Sequence, residues 1–124
     1  MTPPPRVLVV DDDEDILELI RFVLEGERYT VVTATDGRTA LAAVATAMPD
    51  LILLDMKMPI MDGKQFAEEL RRLHDQAAPI IAVTAADDVR KRALEIGAAG
   101  WIAKPFELAD VVRAVGAQIS MHAD

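Results

Sequence analysis

The chain has 124 residues, no cysteine, and 21 acidic against 13 basic side chains, for a formal net charge of -8. A chain of this length makes one domain that buries roughly two-thirds of the surface its unfolded form exposes, and without cysteine neither disulfides nor thiolate metal sites can staple it. The acidic balance argues against direct nucleic-acid binding, and no apolar stretch approaches the ~20 residues of a membrane helix or forms a signal peptide, so a cytoplasmic protein with no membrane insertion is expected.

Pro3-Pro4-Pro5 can only be extended and solvated, so residues 1–5 are expected to form a disordered tail, 6–120 the domain and 121–124 a C-terminal tail. Val7-Leu8-Val9-Val10 is an unbroken apolar run, the mark of a strand buried on both faces of a parallel sheet. An acidic turn, Asp11 to Asp15, follows. Ile16, Leu19, Ile20, Val23 and Leu24 then recur at helical spacing up to Gly26. Tyr29 to Thr33 reads as the second strand, Asp36-Gly37 as turn and cap, and Thr39 to Met48 as an alanine-rich helix ended by Pro49. The third strand is Leu51 to Leu54, and its helix spans Lys64 to His74 with Phe66, Leu70 and Leu73 inward. Ile80 to Val83 makes the fourth strand, before a helix capped at Asp87 or Asp88 and stopped by Gly97. Trp101 to Ala103 is a short fifth strand, and Leu108, Val111, Val112, Val115 and Ile119 form the stripe of a last helix.

Five apolar strands alternating with five helices predict an α/β fold with a doubly wound five-stranded parallel sheet covered on both faces. In the flavodoxin-like order 2-1-3-4-5 the winding reverses between the first and third strands, and ligands bind beyond the strand ends at that point. Those two strands end in Asp11-Asp12 and in Asp55, and the fourth and fifth end in Thr84 and Lys104-Pro105. A carboxylate delivered by a buried strand to its exposed tip is a candidate nucleophile, and the company of Asp11, Asp12 and Lys104 points to a site that accepts a phosphoryl group. Taken singly, Asp55 is a turn or cap residue, Lys104 a surface lysine and Thr84 a helix cap. Their convergence on one crevice is what lifts them. Three carboxylates in one crevice repel by about 1 to 4 kcal/mol per pair at ~4 Å, which calls for a hard cation; Mg2+ fits such a donor set better than calcium, with Mn2+ as the substitute. His74 and His122 read as helix-surface residues, Met56, Met58 and Met61 as packing for the loop after the third strand, and Trp101 as a core or edge-strand aromatic.

Val9-Val10-Asp11-Asp12, Leu54-Asp55 with Met58-Pro59 and Met61-Asp62-Gly63, Val83-Thr84-Ala85, and Lys104-Pro105-Phe106 each stand at a strand end, in order. On these motifs the chain resembles the receiver domains of two-component response regulators from Arg6 to Ile119. The resemblance implies that Asp55 is the phosphoacceptor, taking its phosphoryl group from a sensor histidine kinase or a histidine phosphotransfer protein. Asp12 and Asp55 would be direct metal ligands, Asp11 would act largely through water, and the backbone carbonyl of Lys57 would complete the protein's share. Lys104, the Thr84 hydroxyl and the backbone amides after Asp55 would take the remaining phosphoryl oxygens. A cis peptide between Lys104 and Pro105 is implied too, as is a switch in which Thr84 moves toward the phosphoryl group and Trp101 follows, remodelling the face of the fourth helix, fifth strand and fifth helix for an unknown downstream partner.

Lys57 and Ala86, two residues beyond Asp55 and Thr84, occupy positions that vary among receivers and influence access to the phosphoryl group; Lys57 could attract the phosphodonor or pair with the acidic cluster, and taken singly it is a solvated lysine. Gly97-Ala98-Ala99-Gly100 before the fifth strand, and Ala114 on the last helix beside Arg113, depart from the charge pairs through which many receivers dimerise, so a monomer or weak dimer is expected. The chain resembles single-domain, chemotaxis-type receivers, with a receiver excised from a longer regulator or hybrid kinase as the nearby variant. The alternative from another class is a small phosphatase or phosphotransferase that works through an aspartyl phosphate. Haloacid-dehalogenase-like enzymes of that kind carry a second acid where this chain has Lys57, and no glycine-rich nucleotide loop is present.

Overall fold

A computed structural model describes residues 3–121 of the protein. Strands and helices alternate along it: β1 (Arg6–Val10), α1 (Glu14–Gly26), β2 (Thr30–Ala34), α2 (Gly37–Thr46), β3 (Leu51–Asp55), α3 (Gly63–Leu73), β4 (Ile80–Ala85), α4 (Val89–Glu95), β5 (Gly100–Lys104) and α5 (Leu108–Met121). The strands form one parallel sheet in the order β2-β1-β3-β4-β5, the doubly wound, flavodoxin-like α/β arrangement. Met121 closes α5; the rest of the expected C-terminal tail, including His122, lies outside the described residues, as do Met1 and Thr2. No helix among the described residues is long and apolar enough to cross a membrane.

Side chains alternate across a strand, and here the alternation divides the core in two. Leu8, Val10, Ile52, Leu54, Ile80 and Ala82 point to one face, where they pack with residues of α2, α3 and α4, including Ala40, Val44, Phe66, Leu70 and Ala93. Val7, Val9, Leu51, Leu53, Ile81, Val83 and Ile102 point to the other, against Leu17, Ile20 and Leu24 of α1 and Val111 and Val115 of α5. Every residue of β3 is buried, which is why its sequence is apolar without interruption up to Asp55.

Several boundaries differ from the sequence expectation for local reasons. The α2 helix stops at Thr46, with Ala47 already extended, one residue ahead of Met48, where Pro49 disfavours helical geometry. Ladder pairing carries β4 to Ala85 and β5 to Lys104, so Thr84 lies inside a strand. Two residues expected inward are exposed. Leu73 (51%) is the final residue of α3, where no further turn brings a neighbour over it. Leu19 (54%) stands beside the stripe that Leu17, Ile20 and Leu24 bury, and lines a surface groove with Ile16 and Phe106.

Candidate functional site

Register brings the acidic residues together. Val10 pairs with Leu54, so the residues that follow them, Asp11 and Asp55, emerge side by side from the two central strands. Asp11, Asp55 and Thr84 are buried, with relative exposures of 4%, 3% and 1%. They line a cavity of about 360 Å3 with Asp12, Asp13, Ile16, Lys57, Ala85 and Lys104.

The loops that lead away from these strands are fixed by their own chemistry. After β1, the Asp13 side chain accepts from the amides of Asp15 and Ile16 and caps α1, while the amide of Asp13 donates to Oδ1 of Asp11 at 2.9 Å. After β3, Asp62 and Gln65 form a reciprocal capping box at the start of α3. Gly63 is required there, because a Cβ would sit 2.7 Å from Cα of Met56. The Met-Asp-Gly motif is thus a device for docking α3 close behind the strand that carries Asp55.

Asp55 is held on both sides. Its Oδ1 accepts from the amide of Lys57 at 3.1 Å, and its Oδ2 lies 3.6 Å from Nζ of Lys104. The same ammonium is 3.3 Å from Oδ2 of Asp11. Burial pushes the Asp55 carboxyl up to about 6, the Lys57 amide opposes that shift, Asp11 adds to it, Lys104 opposes it and Asp12 adds to it. Lys104 is pushed above the usual lysine range: burial works against its charge, but Asp55 and Asp11 outweigh it. The Lys104–Pro105 peptide is cis.

Asp11, Asp12 and Asp55 each offer a carboxylate oxygen, and these oxygens lie within 4.8 Å of one another. All the donors are hard oxygens and one of the three residues is open to solvent, so the set fits a divalent cation that keeps part of its water shell. Thr84 Oγ1 is buried and has no hydrogen-bond partner among the described residues. Of the amides after Asp55, that of Met56 donates to Val83 O at 3.0 Å and that of Lys57 to Asp55 itself, so neither stands free.

Of the remaining candidates only Lys57 lines this cavity. The Lys57 ammonium is 3.6 Å from Asp88, a contact that sequence patterning gave no sign of. Trp101 is 49% exposed on the edge strand β5, beside Arg113 and Ala114. Met56 and Met58 are buried and pack into the core. Ala86 is exposed on the connection between β4 and α4, and His74 follows the last residue of α3. Asp13, unmarked as a site residue in the sequence, lines the cavity as well.

A profile of the family "Response regulator receiver domain" matches residues 7–116. Among similar proteins, the response regulator MprA of Mycolicibacterium vanbaalenii is 40% identical over 111 residues, which is 88% of this chain and 48% of that protein. The alkaline phosphatase synthesis transcriptional regulatory protein PhoP of Bacillus subtilis is 40% identical over 108 residues, 86% of this chain and 45% of that protein. The chain therefore spans about half the length of these relatives. Among solved structures, the chemotaxis protein CheY4 of Vibrio cholerae superposes with a TM-score of 0.82 at 32% identity, covering 91% of this chain and 97% of that one. The receiver domain of NtrX from Brucella abortus gives 0.83 at 28% identity, covering 92% and 98%.

Proposed function

Because the chain belongs to the response regulator receiver domain family, we propose that it is a phospho-accepting signalling switch whose acceptor is Asp55. Receiver domains partner with histidine kinases, and the donor proposed here is a phosphohistidine on a sensor histidine kinase or a histidine phosphotransfer protein. The observation that carries this reading is a buried carboxylate at a strand tip, 3.6 Å from the Lys104 ammonium and inside a cavity open to a donor.

An oxygen of Asp55 attacks phosphorus; the O–P bond forms as the P–N bond breaks, and the electron pair leaves on the imidazole nitrogen, which takes up a proton. The attacking form is the carboxylate. Lys104 favours that form and stands ready to neutralise a phosphoryl oxygen. Asp11, Asp12 and Asp55, with the backbone carbonyl of Lys57, would hold Mg2+, or Mn2+ in its place. When bound, the cation supplies the positive charge that lets an anionic phosphoryl group approach an acidic crevice. Ile16, Leu19, Pro105, Phe106 and Leu108 line an apolar groove of about 490 Å3 that Lys104 also borders, which supports docking of the donor protein beside Asp55.

The unpartnered Thr84 hydroxyl is suited to turn toward a new phosphoryl oxygen, and the outward Trp101 to follow it, changing the face made by α4, β5 and α5 for a downstream protein. Gly97-Ala98-Ala99-Gly100 before β5 and Ala114 on α5 carry no charges for an ion-paired dimer, which supports a monomer or weak dimer. Lys57 and Ala86 would tune the lifetime of the acyl phosphate. The setting we assign is the cytoplasm.

Incubation with acetyl phosphate and magnesium, followed by intact mass, tests the acceptor. One added phosphoryl group is expected on the wild type and none on Asp55→Ala. No added mass on the wild type, or mass that survives the substitution, removes the reading.

A further inference from the structure

We propose that Asp88 restrains Lys57, and that this pair sets how tightly the site holds a phosphoryl-type anion; the inference rests on the acceptor role argued for Asp55. Lys57 is placed by its backbone, whose amide donates to Asp55 at 3.1 Å, and it lines the cavity that holds Asp55, Thr84 and Lys104. Its ammonium is nevertheless drawn to Oδ2 of Asp88, 3.6 Å away, on a residue outside that lining. An ammonium on a flexible four-carbon stem can serve either of two anions. In this structure it serves Asp88.

What singles out Asp88 is the bond it does not make. Asp13, Asp36 and Asp62 stand before α1, α2 and α3, and each accepts hydrogen bonds from the first amides of its helix. Asp88 stands in the same place before α4, but its backbone is helical, at φ -111 and ψ -13, and its side chain makes no capping bond. Its carboxylate is left over for a cation. Ala86 lies on the same connection from β4 to α4, and its methyl group offers Lys57 no competing partner.

An anion arriving at Asp55 therefore competes with Asp88 for the same ammonium. Removing the Asp88 charge should strengthen anion binding by freeing Lys57, and should do nothing further once Lys57 is gone. Both side chains are substantially exposed, at 58% and 40%, so the effect is limited to about two- to fivefold, the range an exposed ion pair can supply.

The probe is beryllofluoride titrated in the presence of saturating magnesium, read by calorimetry on the wild type, Asp88→Asn, Lys57→Ala and the double variant. Magnesium affinity alone is measured on each. Asp88→Asn is expected to bind beryllofluoride about two- to fivefold more tightly with magnesium affinity unchanged, and the gain is expected to vanish in the Lys57→Ala background. A gain that persists without Lys57 means that Asp88 acts by its own charge, and overturns the proposal. So does a parallel rise in magnesium affinity, or no gain at all. A wild type that neither binds beryllofluoride nor accepts a phosphoryl group removes the acceptor reading itself, whereas four proteins that bind equally remove only the role of Asp88.

Discussion

The strands of this sheet are built from two regions with opposite energetics. Their stems are apolar and packed on both faces, with Ile52, Leu53, Ile80 and Ile81 all at most 1% exposed. Their tips carry the buried polar residues Asp11, Asp55 and Thr84. The stems stabilise the fold at about 25 cal/mol for each Å2 of apolar surface removed from water. The tips work against it: Asp55 bears a carboxylate that burial disfavours, and Thr84 a buried hydroxyl that no protein group among the described residues pairs. Sites that bind charge at a protein's edge are held by the rest of the structure, and here the holding is done a few residues away on the same strands.

Substitution within one strand gives the widest contrast. Ile52→Ala in the stem of β3 opens a cavity between the sheet and the α2–α3 layer, where Ile52 is fully buried, and is expected to cost about 2–5 kcal/mol. Urea denaturation should show it as a lower midpoint. Asp55→Asn at the tip of the same strand is expected to act in the opposite direction in metal-free buffer. The carboxyl group stands at about 6 in the fold against 3.8 for the free side chain. At pH 7 to 8 the folded state therefore bears a charge that it disfavours by about 3 kcal/mol. The sign follows: this group's contribution to stability is fully present below pH 3.8 and is lost as pH rises through about 6. The stability difference between Asp55→Asn and the wild type should thus grow from about zero near pH 4 to its plateau above pH 7, by about 3 kcal/mol. A flat difference across that window would contradict the contrast. Added magnesium should shrink the difference by stabilising the wild type alone.

Most of this contrast is legible in the sequence because it depends on residue type and order. Uninterrupted apolar runs announce strands buried on both faces, and an aspartate ending such a run announces a polar tip. The fold class and the placing of Asp11, Asp12, Asp55, Thr84 and Lys104 at strand ends follow from that logic, and the order 2-1-3-4-5 that gathers them is one of the few topologies it leaves. The misses have two causes. Periodicity gives the phase of a helix but not where neighbouring elements stop covering it, so Leu19 and Leu73 read as inward when they are not. Ion pairs at the rim depend on which rotamer a long side chain adopts. No pattern could say that Lys57 turns to Asp88, nor that Asp88 fails to cap α4.

The α4 helix carries the contrast between the two regions along its own axis. At its first turn, near the site, Asp88 makes no cap. At its far end Arg71 reaches across from α3 and donates to the carbonyls of Ile96 and Gly97, groups that a helix end otherwise leaves to water. Gly97, at φ +60, takes the left-handed conformation that a side chain would strain, and the amide of Ala98 returns to Ala93 O at 2.9 Å. The helix is therefore tied by side-chain hydrogen bonds at the stem end and has no side-chain cap at the site end. Arg71→Ala should release the pinned end at a cost of about 1 kcal/mol. Amide hydrogen exchange should accelerate at Gly97 and Ala98, while the extent of acetyl phosphate labelling at Asp55 stays as it was, because the lost contacts lie at the opposite end of the sheet. Faster exchange at the first turn, around Val89, with none at Gly97 would mean that α4 is held at the site end instead.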